Sequence, residues 1–269
     1  MNADQLLPRQ QLALDMAREA GQITLEYFCH DTFSVEWKQD ASPVTIADRR
    51  AEQHLRARIA AAFPADGILG EEFGEQPGTS GFRWILDPID GTKSFVSGVP
   101  LYGTLIGVEH ERRSLVGVIH IPALNECVYA AVGHGAWYTR HDGPPRRAAV
   151  STKQRLDQGL FCTSEIKTFV QTGRLPAFEQ LQAQAWLTRT WGDCYGYLLV
   201  ATGRCEAMVD PKMNLWDNAA LQPIIEEAGG TFTDWQGTPT IHSPEALATN
   251  GRVLEEVLAV TRKWPGNSG

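Results

Sequence analysis

Trp84-Ile85-Leu86-Asp87-Pro88-Ile89-Asp90-Gly91-Thr92 decides the fold of this chain. Its three leading apolar residues read as the end of a buried strand. Two carboxylates and a hydroxyl follow at once, on a turn that Pro88 stiffens and Gly91 frees for unusual backbone angles. Asp87 and Asp90 project from the same turn, where like charges repel unless cations lie between them. Hard divalent ions suit such oxygen clusters, and Mg²⁺ takes a few carboxylates together with phosphate and water. On this pair alone, a solvated Asp-rich turn is the bland alternative.

Further carboxylates stand at comparable places. Glu71, in Gly70-Glu71-Glu72, follows the apolar pair Ile68-Leu69 and so sits at a predicted strand end. Asp48 lies where Ser42-Pro43-Val44-Thr45-Ile46-Ala47-Asp48 runs into a predicted helix, and Trp216-Asp217-Asn218-Ala219-Ala220 opens another. Acids near helix N-termini cap free N–H groups and favour the dipole, and Thr45 with Asp48 fits a capping box. Taken singly, Asp48 and Asp217 read as caps and Glu71 as a surface acid.

Taken together, these segments resemble the inositol monophosphatase family. Val200-Ala201-Thr202-Gly203 and the segment from Ser42 to Asp48 extend the match, whose order and spacing are intact from Lys38 to Gly230. The resemblance implies a lithium-sensitive, Mg²⁺-dependent phosphomonoesterase that uses water as nucleophile, with on the order of two or three Mg²⁺ ions per site. It implies that Glu71, Asp87 and the backbone carbonyl of Ile89 hold one metal, while Asp87 bridges to another completed by Asp90 and Asp217. Thr92, paired with Asp48, would orient the water, with Glu71 nearby. Backbone N–H groups of Gly91 and Thr92, beside Asp90, would cradle phosphate at a helix start, and Lys38 would contact phosphate or a bound water.

The substrate half departs from the inositol enzymes. Where those commonly carry an Arg-Ser-x-Gly-Ser run, this chain has Arg189-Thr190-Trp191-Gly192-Asp193-Cys194-Tyr195-Gly196-Tyr197. With Lys93-Ser94-Phe95-Val96-Ser97-Gly98-Val99-Pro100, this run resembles the histidinol-phosphatase branch of the family. The implied reaction is hydrolysis of L-histidinol phosphate, late in histidine biosynthesis. An ammonium and an imidazole on that substrate would pair with Asp193 and Asp210, and Arg189 would position an acid or reach phosphate. The bland alternatives are a helix cap for Asp193 and a turn start for Asp210. Rival readings are an inositol-1-phosphate or broad sugar-phosphate monophosphatase and, from another class, a partner of RNA or a transcription complex.

Composition narrows the choice. The chain has 269 residues, 43% hydrophobic and 21% charged, as soluble globular proteins do. A formal net charge of −8 argues against nucleic acid as a partner, since that needs clustered Lys and Arg. Bound Mg²⁺ would reverse the local field for an anionic small-molecule ester. The five cysteines form no C-x-x-C pair and the seven histidines no H-x-x-x-H, so neither zinc nor a disulfide framework is expected. Neither a leader segment nor an apolar run of ~20 residues is read, so a cytoplasmic protein without a membrane partner is expected.

Along the chain, Leu12, Met16, Ala20, Ile23 and Tyr27 mark one helix, and Ala51, Leu55, Ile59 and Ala62 a second. Between them, residues 33–39 read as a strand or hairpin carrying Lys38. Short β-like runs follow, of which 104–109, 115–121 and 126–132 suggest an antiparallel meander. Residues 75–81 and 141–147 read as polar loops, the second a domain boundary between halves 1–147 and 148–269. Most metal ligands fall in the first half; specificity and one ligand fall in the second. Strands alternating with helices after the boundary favour an α/β layered half. The family resemblance implies a layered sandwich ordered αβαβα, two tightly joined halves with the site between them, and a homodimer.

Overall fold

A computed structural model of the chain describes residues 3–29, 35–37, 43–141 and 143–264. The two predicted helices are α1 (Ala3–Leu25) and α2 (Ile46–Ala62), separated by an antiparallel pair, β1 (Val35–Trp37) and β2 (Pro43–Thr45). Lys38 lies outside the described residues. Next come β3 (Gly67–Gly70), β4 (Gly74–Gln76), β5 (Phe82–Asp90), α3 (Thr92–Val96), β6 (Gly103–His110), β7 (Arg113–Ile121), β8 (Glu126–Ala131), β9 (Gly135–Arg140) and β10 (Arg146–Arg147). Among the described residues these strands form an eight-stranded sheet ordered β10-β9-β8-β7-β6-β5-β3-β4. The meander is β6-β7-β8, and only the β3–β5 pairing is parallel. β4 occupies part of the predicted 75–81 loop; it is an edge strand with every residue exposed, so no alternation betrays it.

The second half contains β11 (Leu160–Cys162), α4 (Ile166–Gln171), α5 (Leu175–Gln184), β12 (Leu187–Arg189), α6 (Cys194–Ala201), β13 (Ala207–Asp210), α7 (Leu215–Asn218), α8 (Leu221–Glu227), β14 (Thr231–Thr233), β15 (Ala246–Thr249) and α9 (Leu254–Thr261). Its sheet runs β12-β11-β13-β15-β14, parallel through β12, β11 and β13 and antiparallel beyond.

The alternation of side chains along a strand builds the layers. Trp84 of β5 faces α1 and α2, packing with Met16, Leu55 and Ile59. Its neighbour Ile85 faces the other way, into a central core with Tyr197, Leu198, Leu221 and Ile224. Met208 of β13 closes that core, while Val209 joins Phe161, Phe169, Phe178 and Val257 on the outer side. Helices, sheet, helices, sheet and helices follow in order, the αβαβα sandwich expected of this chain. Asp66 pins α1 to the first sheet by accepting from Arg9 (2.8 and 2.9 Å), Ser80 (2.6 Å) and Trp84 (2.9 Å). Among the described residues, no helix is long and apolar enough to cross a membrane.

The predicted helix that opens at Trp216-Asp217 is broken into α7 and α8 at Ala219-Ala220. The cause lies in distant strands. A Cβ on Gly107 would fall 2.7 Å from the Ala219 Cβ, and one on Gly117 only 2.0 Å from the Ala220 carbonyl oxygen. Ser114 Oγ donates to the Ala219 carbonyl at 2.5 Å, drawing it toward the sheet. The helical layer therefore rests directly on strand backbone.

Gly117→Ala must push these layers apart, and overpacking of this kind costs about 2 kcal/mol or more. A fall in Tm of about 5 °C is expected; an unchanged melting curve would show that the layers slide. A second expectation concerns His120, buried beneath α1 with Nδ1 3.0 Å from the Ala17 carbonyl. Burial pushes its imidazole down to about 4 from 6.5, against the opposing effect of that carbonyl. As pH falls below 6.5 the unfolded chain takes a proton that the folded chain refuses until about 4, so stability declines through that window. Between pH 7 and 5 the native chain should lose about 2 kcal/mol more than His120→Gln does, measured by denaturant titration.

Candidate active site

The turn at the end of β5 is a built irregularity. Asp87 pairs with Leu105 and Asp90 with Gly103, and the register shifts between them. Ile89 N–H donates to Asp87 Oδ1 (3.1 Å), the Thr104 hydroxyl to the Pro88 carbonyl (2.9 Å), and the Thr92 hydroxyl to the Ile89 carbonyl (3.1 Å). The Ile89 side chain is fully buried beside Phe95 and Tyr102, which anchors the turn. Gly91 stands at φ 83°, and a Cβ there would meet Asp193 Oδ2 at 2.8 Å. Only glycine satisfies both conditions.

Three further elements bring acids to this turn. β3 lies parallel to β5, so Glu71 follows Gly70 directly beside Asp87, its N–H bonded to the Leu86 carbonyl (3.2 Å). Buried Glu52 of α2 holds that loop by accepting from the N–H groups of Glu72 (2.7 Å) and Phe73 (3.2 Å). Asp217 rides on α7, where its carboxylate caps Asn214 N–H at 2.6 Å. The capping reading and the site position coexist in one side chain. Asp48 likewise completes the α2 capping box, with Oδ2 accepting from Thr45 N–H (2.8 Å) and Oγ1 (2.6 Å). Asp48 and Thr92 thus each bond to other groups in this structure, although Asp48 stays close enough to act on the charge of Asp87.

Ligand atoms of Asp87, Asp90 and Asp217 lie within 4.8 Å of one another. Among the described residues, the hydrogen-bond donors to these carboxylates are neutral: Ile89 N–H, Cys194 N–H and the Asn214 groups. Burial, then Glu71 and Asp90, pushes the Asp87 carboxyl well above its ordinary range; burial and Asp193 do the same to Asp90. Burial, opposed by the Asn214 cap and aided by Glu71 and Asp193, raises Asp217 to about 7. Burial, aided by Glu72 and Glu71, brings Asp48 to about 7. A cluster of oxygen donors that resists its own charge is the donor set a hard divalent cation satisfies. The residues fit the metal.

Glu71, Asp90 and Asp217 form one wall of a cavity of about 720 Å³, lined also by Gly91, Thr92, Lys93, Ser164, Glu165, Asp193, Tyr197 and Lys212. Asp193 enters it from an unusual backbone, φ 47° and ψ −149°, where a residue other than glycine is strained. Burial, then Asp210, raises its carboxyl to about 7. Asp210 is not presented to the cavity. Its Oδ1 accepts from the Thr163 hydroxyl (3.0 Å) and Ser164 N–H (2.8 Å), and its Oδ2 from the Ser164 (3.1 Å) and Tyr197 (2.9 Å) hydroxyls. Arg189 stands at the end of the edge strand β12, exposed, donating to the Thr188 carbonyl (2.7 Å) and stacked 5.8 Å from the Trp191 ring centre. It does not line the cavity. Glu165, Ser164 and Lys93 do, and sequence reasoning passed over them as site residues because only the fold brings them opposite one another.

A profile of the inositol monophosphatase family matches residues 6–264. The chain belongs to the inositol monophosphatase family. Metal dependence is a property of that family, and the acidic cluster is a group of residues able to bind such an ion. Relatives include a histidinol-phosphatase of Chlorobaculum parvum, 44% identical over 93% of this chain and 94% of its own length. Another histidinol-phosphatase, from Streptomyces coelicolor, is 39% identical over 92% of this chain and 94% of its own. An inositol monophosphatase structure from Zymomonas mobilis superposes with a TM-score of 0.83 at 31% identity, covering 97% of this chain and 100% of that one.

Thermal unfolding with Mg²⁺ and with EDTA tests the cluster without any substrate. A ligand at about 100 times its Kd adds about 2.7 kcal/mol, so excess Mg²⁺ is expected to raise Tm by several degrees. Asp87→Asn is expected to erase most of that rise while melting no lower in EDTA, since it removes one of several repelling charges. An undiminished rise would move the cation elsewhere.

Proposed function

We infer that this chain hydrolyses L-histidinol phosphate to L-histidinol and phosphate, a late step of histidine biosynthesis, in the cytoplasm and with Mg²⁺. The observation that carries the substrate is Asp193. A half-buried carboxylate on a strained backbone, placed against the Gly91 turn, suits a phosphate ester that ends in a cation. Inositol offers only hydroxyls and gives such an acid no charged partner. The histidinol-phosphatases among the relatives support the same substrate.

Glu71, Asp87, the Ile89 carbonyl, Asp90 and Asp217 would hold about two or three Mg²⁺ ions. When bound, these ions neutralise phosphoryl oxygens and acidify water. The chain's own groups do the positioning. Gly91 and Thr92 N–H groups at the start of α3 face the phosphate. Thr92 and Asp48, with Glu71 beside them, orient the attacking water once Thr92 turns from the Ile89 carbonyl. Asp193 and Asp90 orient the leaving alcohol, and Asp210 acts on the substrate through Ser164 and Tyr197, which it binds. In this reading half 1–147 supplies most metal ligands, and half 148–269 supplies specificity and Asp217. A homodimer is part of the same reading; exposed Trp186 and Trp191, flanking edge strand β12, offer it an apolar surface.

Phosphate release from histidinol phosphate and inositol 1-phosphate, with Mg²⁺ and then EDTA, tests the reading. At least about tenfold higher kcat/KM on histidinol phosphate is expected, equal to about 1.4 kcal/mol of transition-state discrimination, with turnover lost in EDTA. Preference for inositol 1-phosphate would overturn the substrate, and turnover indifferent to EDTA would overturn the metal.

A further inference from the structure

Lys93 and Glu165 meet across the mouth of the site. Lys93 Nζ lies 2.7 Å from Glu165 Oε2, although 72 residues separate them and they belong to different halves. Lys93 follows the phosphate-facing turn on α3; Glu165 is the N-cap position of α4 and makes no capping bond there. Its carboxylate is directed at the cavity and at the Lys93 ammonium.

The position of Glu165 is fixed from behind. Ser164, its neighbour, gives both N–H and hydroxyl to Asp210, and the same hydroxyl oxygen accepts the Asp193 N–H at 3.0 Å. A Cβ on Gly192 would fall 2.1 Å from the Ser164 Cα, so the Gly192-Asp193 backbone is seated on this residue. Glu165 and Asp193 therefore hang from one serine, both line the cavity, and Asp193 feels the charge of Glu165. Of the two, Glu165 already carries a primary ammonium, the Lys93 Nζ.

We propose that Glu165 is a specificity-determining residue that, with Asp193, receives the ammonium end of the substrate, and that Lys93 occupies its carboxylate until substrate arrives. The proposal rests on the histidinol phosphate reading and names how the cationic end is recognised. Lys93 Nζ stands in for the substrate amine. The exchange is easy in one direction only. The Lys93 side chain is 68% exposed and that of Glu165 37%, and an exposed ion pair is worth little in water. A substrate anchored by its phosphate presents its amine at high effective concentration, whereas a phosphate ester of an uncharged alcohol has no cation with which to displace Lys93. Released Lys93 stays beside the phosphate-facing turn, so no cation is stranded.

Steady-state kinetics of the native chain, Glu165→Gln and Lys93→Met on histidinol phosphate and inositol 1-phosphate test this. Both side chains are exposed, so both variants should fold, as melting curves would verify. Glu165→Gln should raise KM for histidinol phosphate about tenfold with kcat nearly unchanged, and alter kcat/KM for inositol 1-phosphate by less than about twofold. Lys93→Met, which vacates the carboxylate, should lower KM for histidinol phosphate about two- to fivefold. Equal losses on both esters in both variants would make the bridge a mere strap between halves and overturn the proposal. An unchanged ester ratio in Glu165→Gln, in a native chain that prefers histidinol phosphate, would overturn this proposal alone. A native chain without that preference would overturn the substrate reading, and this proposal with it.

Discussion

Mutual repulsion among Asp87, Asp90 and Asp217 is the constraint around which the rest of the molecule is arranged. Three carboxylates with oxygens within 4.8 Å need protons or a cation, and burial makes the conflict sharper. The fold holds them there by means unrelated to charge. A register shift in β5 sets the first two, and a four-residue helix followed by Ala219-Ala220, which press on Gly107 and Gly117, sets the third. Neutral N–H groups orient the carboxylates without discharging them. A divalent ion bound among them would relieve that repulsion, and the cluster is a group of residues able to bind such an ion.

The opposite wall obeys a different logic. Asp210, fully buried, has four donors and no need of a ligand. Its work is to hold Thr163, Ser164 and Tyr197, and through Ser164 the segment bearing Asp193. A carboxylate that looks from its spacing like a substrate contact has both oxygens engaged by protein donors. Charge that faces the cavity is carried instead by Asp193 and Glu165, on backbone that Asp210 has made rigid.

Much of this was legible in the chain itself, for reasons that differ by element. The β6-β7-β8 meander shows in apolar runs with brief polar breaks, because sequential antiparallel strands need only short turns. Asp87, Asp90 and Asp217 stand out because strand ends and helix starts are places where carboxylates project. What was hidden depends on partners far along the chain. The break between α7 and α8 comes from glycines about a hundred residues upstream. β4 carries no burial pattern, since it lies exposed at a sheet edge. Arg189 lies along an outer edge where β12 ends, bonded to the Thr188 carbonyl, a placement that its spacing does not disclose. Glu165 and Lys93 are ordinary surface residues in one dimension and opposed charges in three.

The seating of Ala219-Ala220 on bare strand backbone has a consequence for assembly. Asp87 and Asp90 belong to one sheet, Asp217 to a helix packed between two, so neither half owns a complete ligand set. During refolding, a chain with only the first half in place has Glu71, Asp87 and Asp90 beside one another but lacks Asp217. Docking of the second half would complete the set of three carboxylates, and an ion bound there would act as a clasp on the finished molecule. Cation uptake during renaturation would therefore report completion of the sandwich, not the growth of its parts.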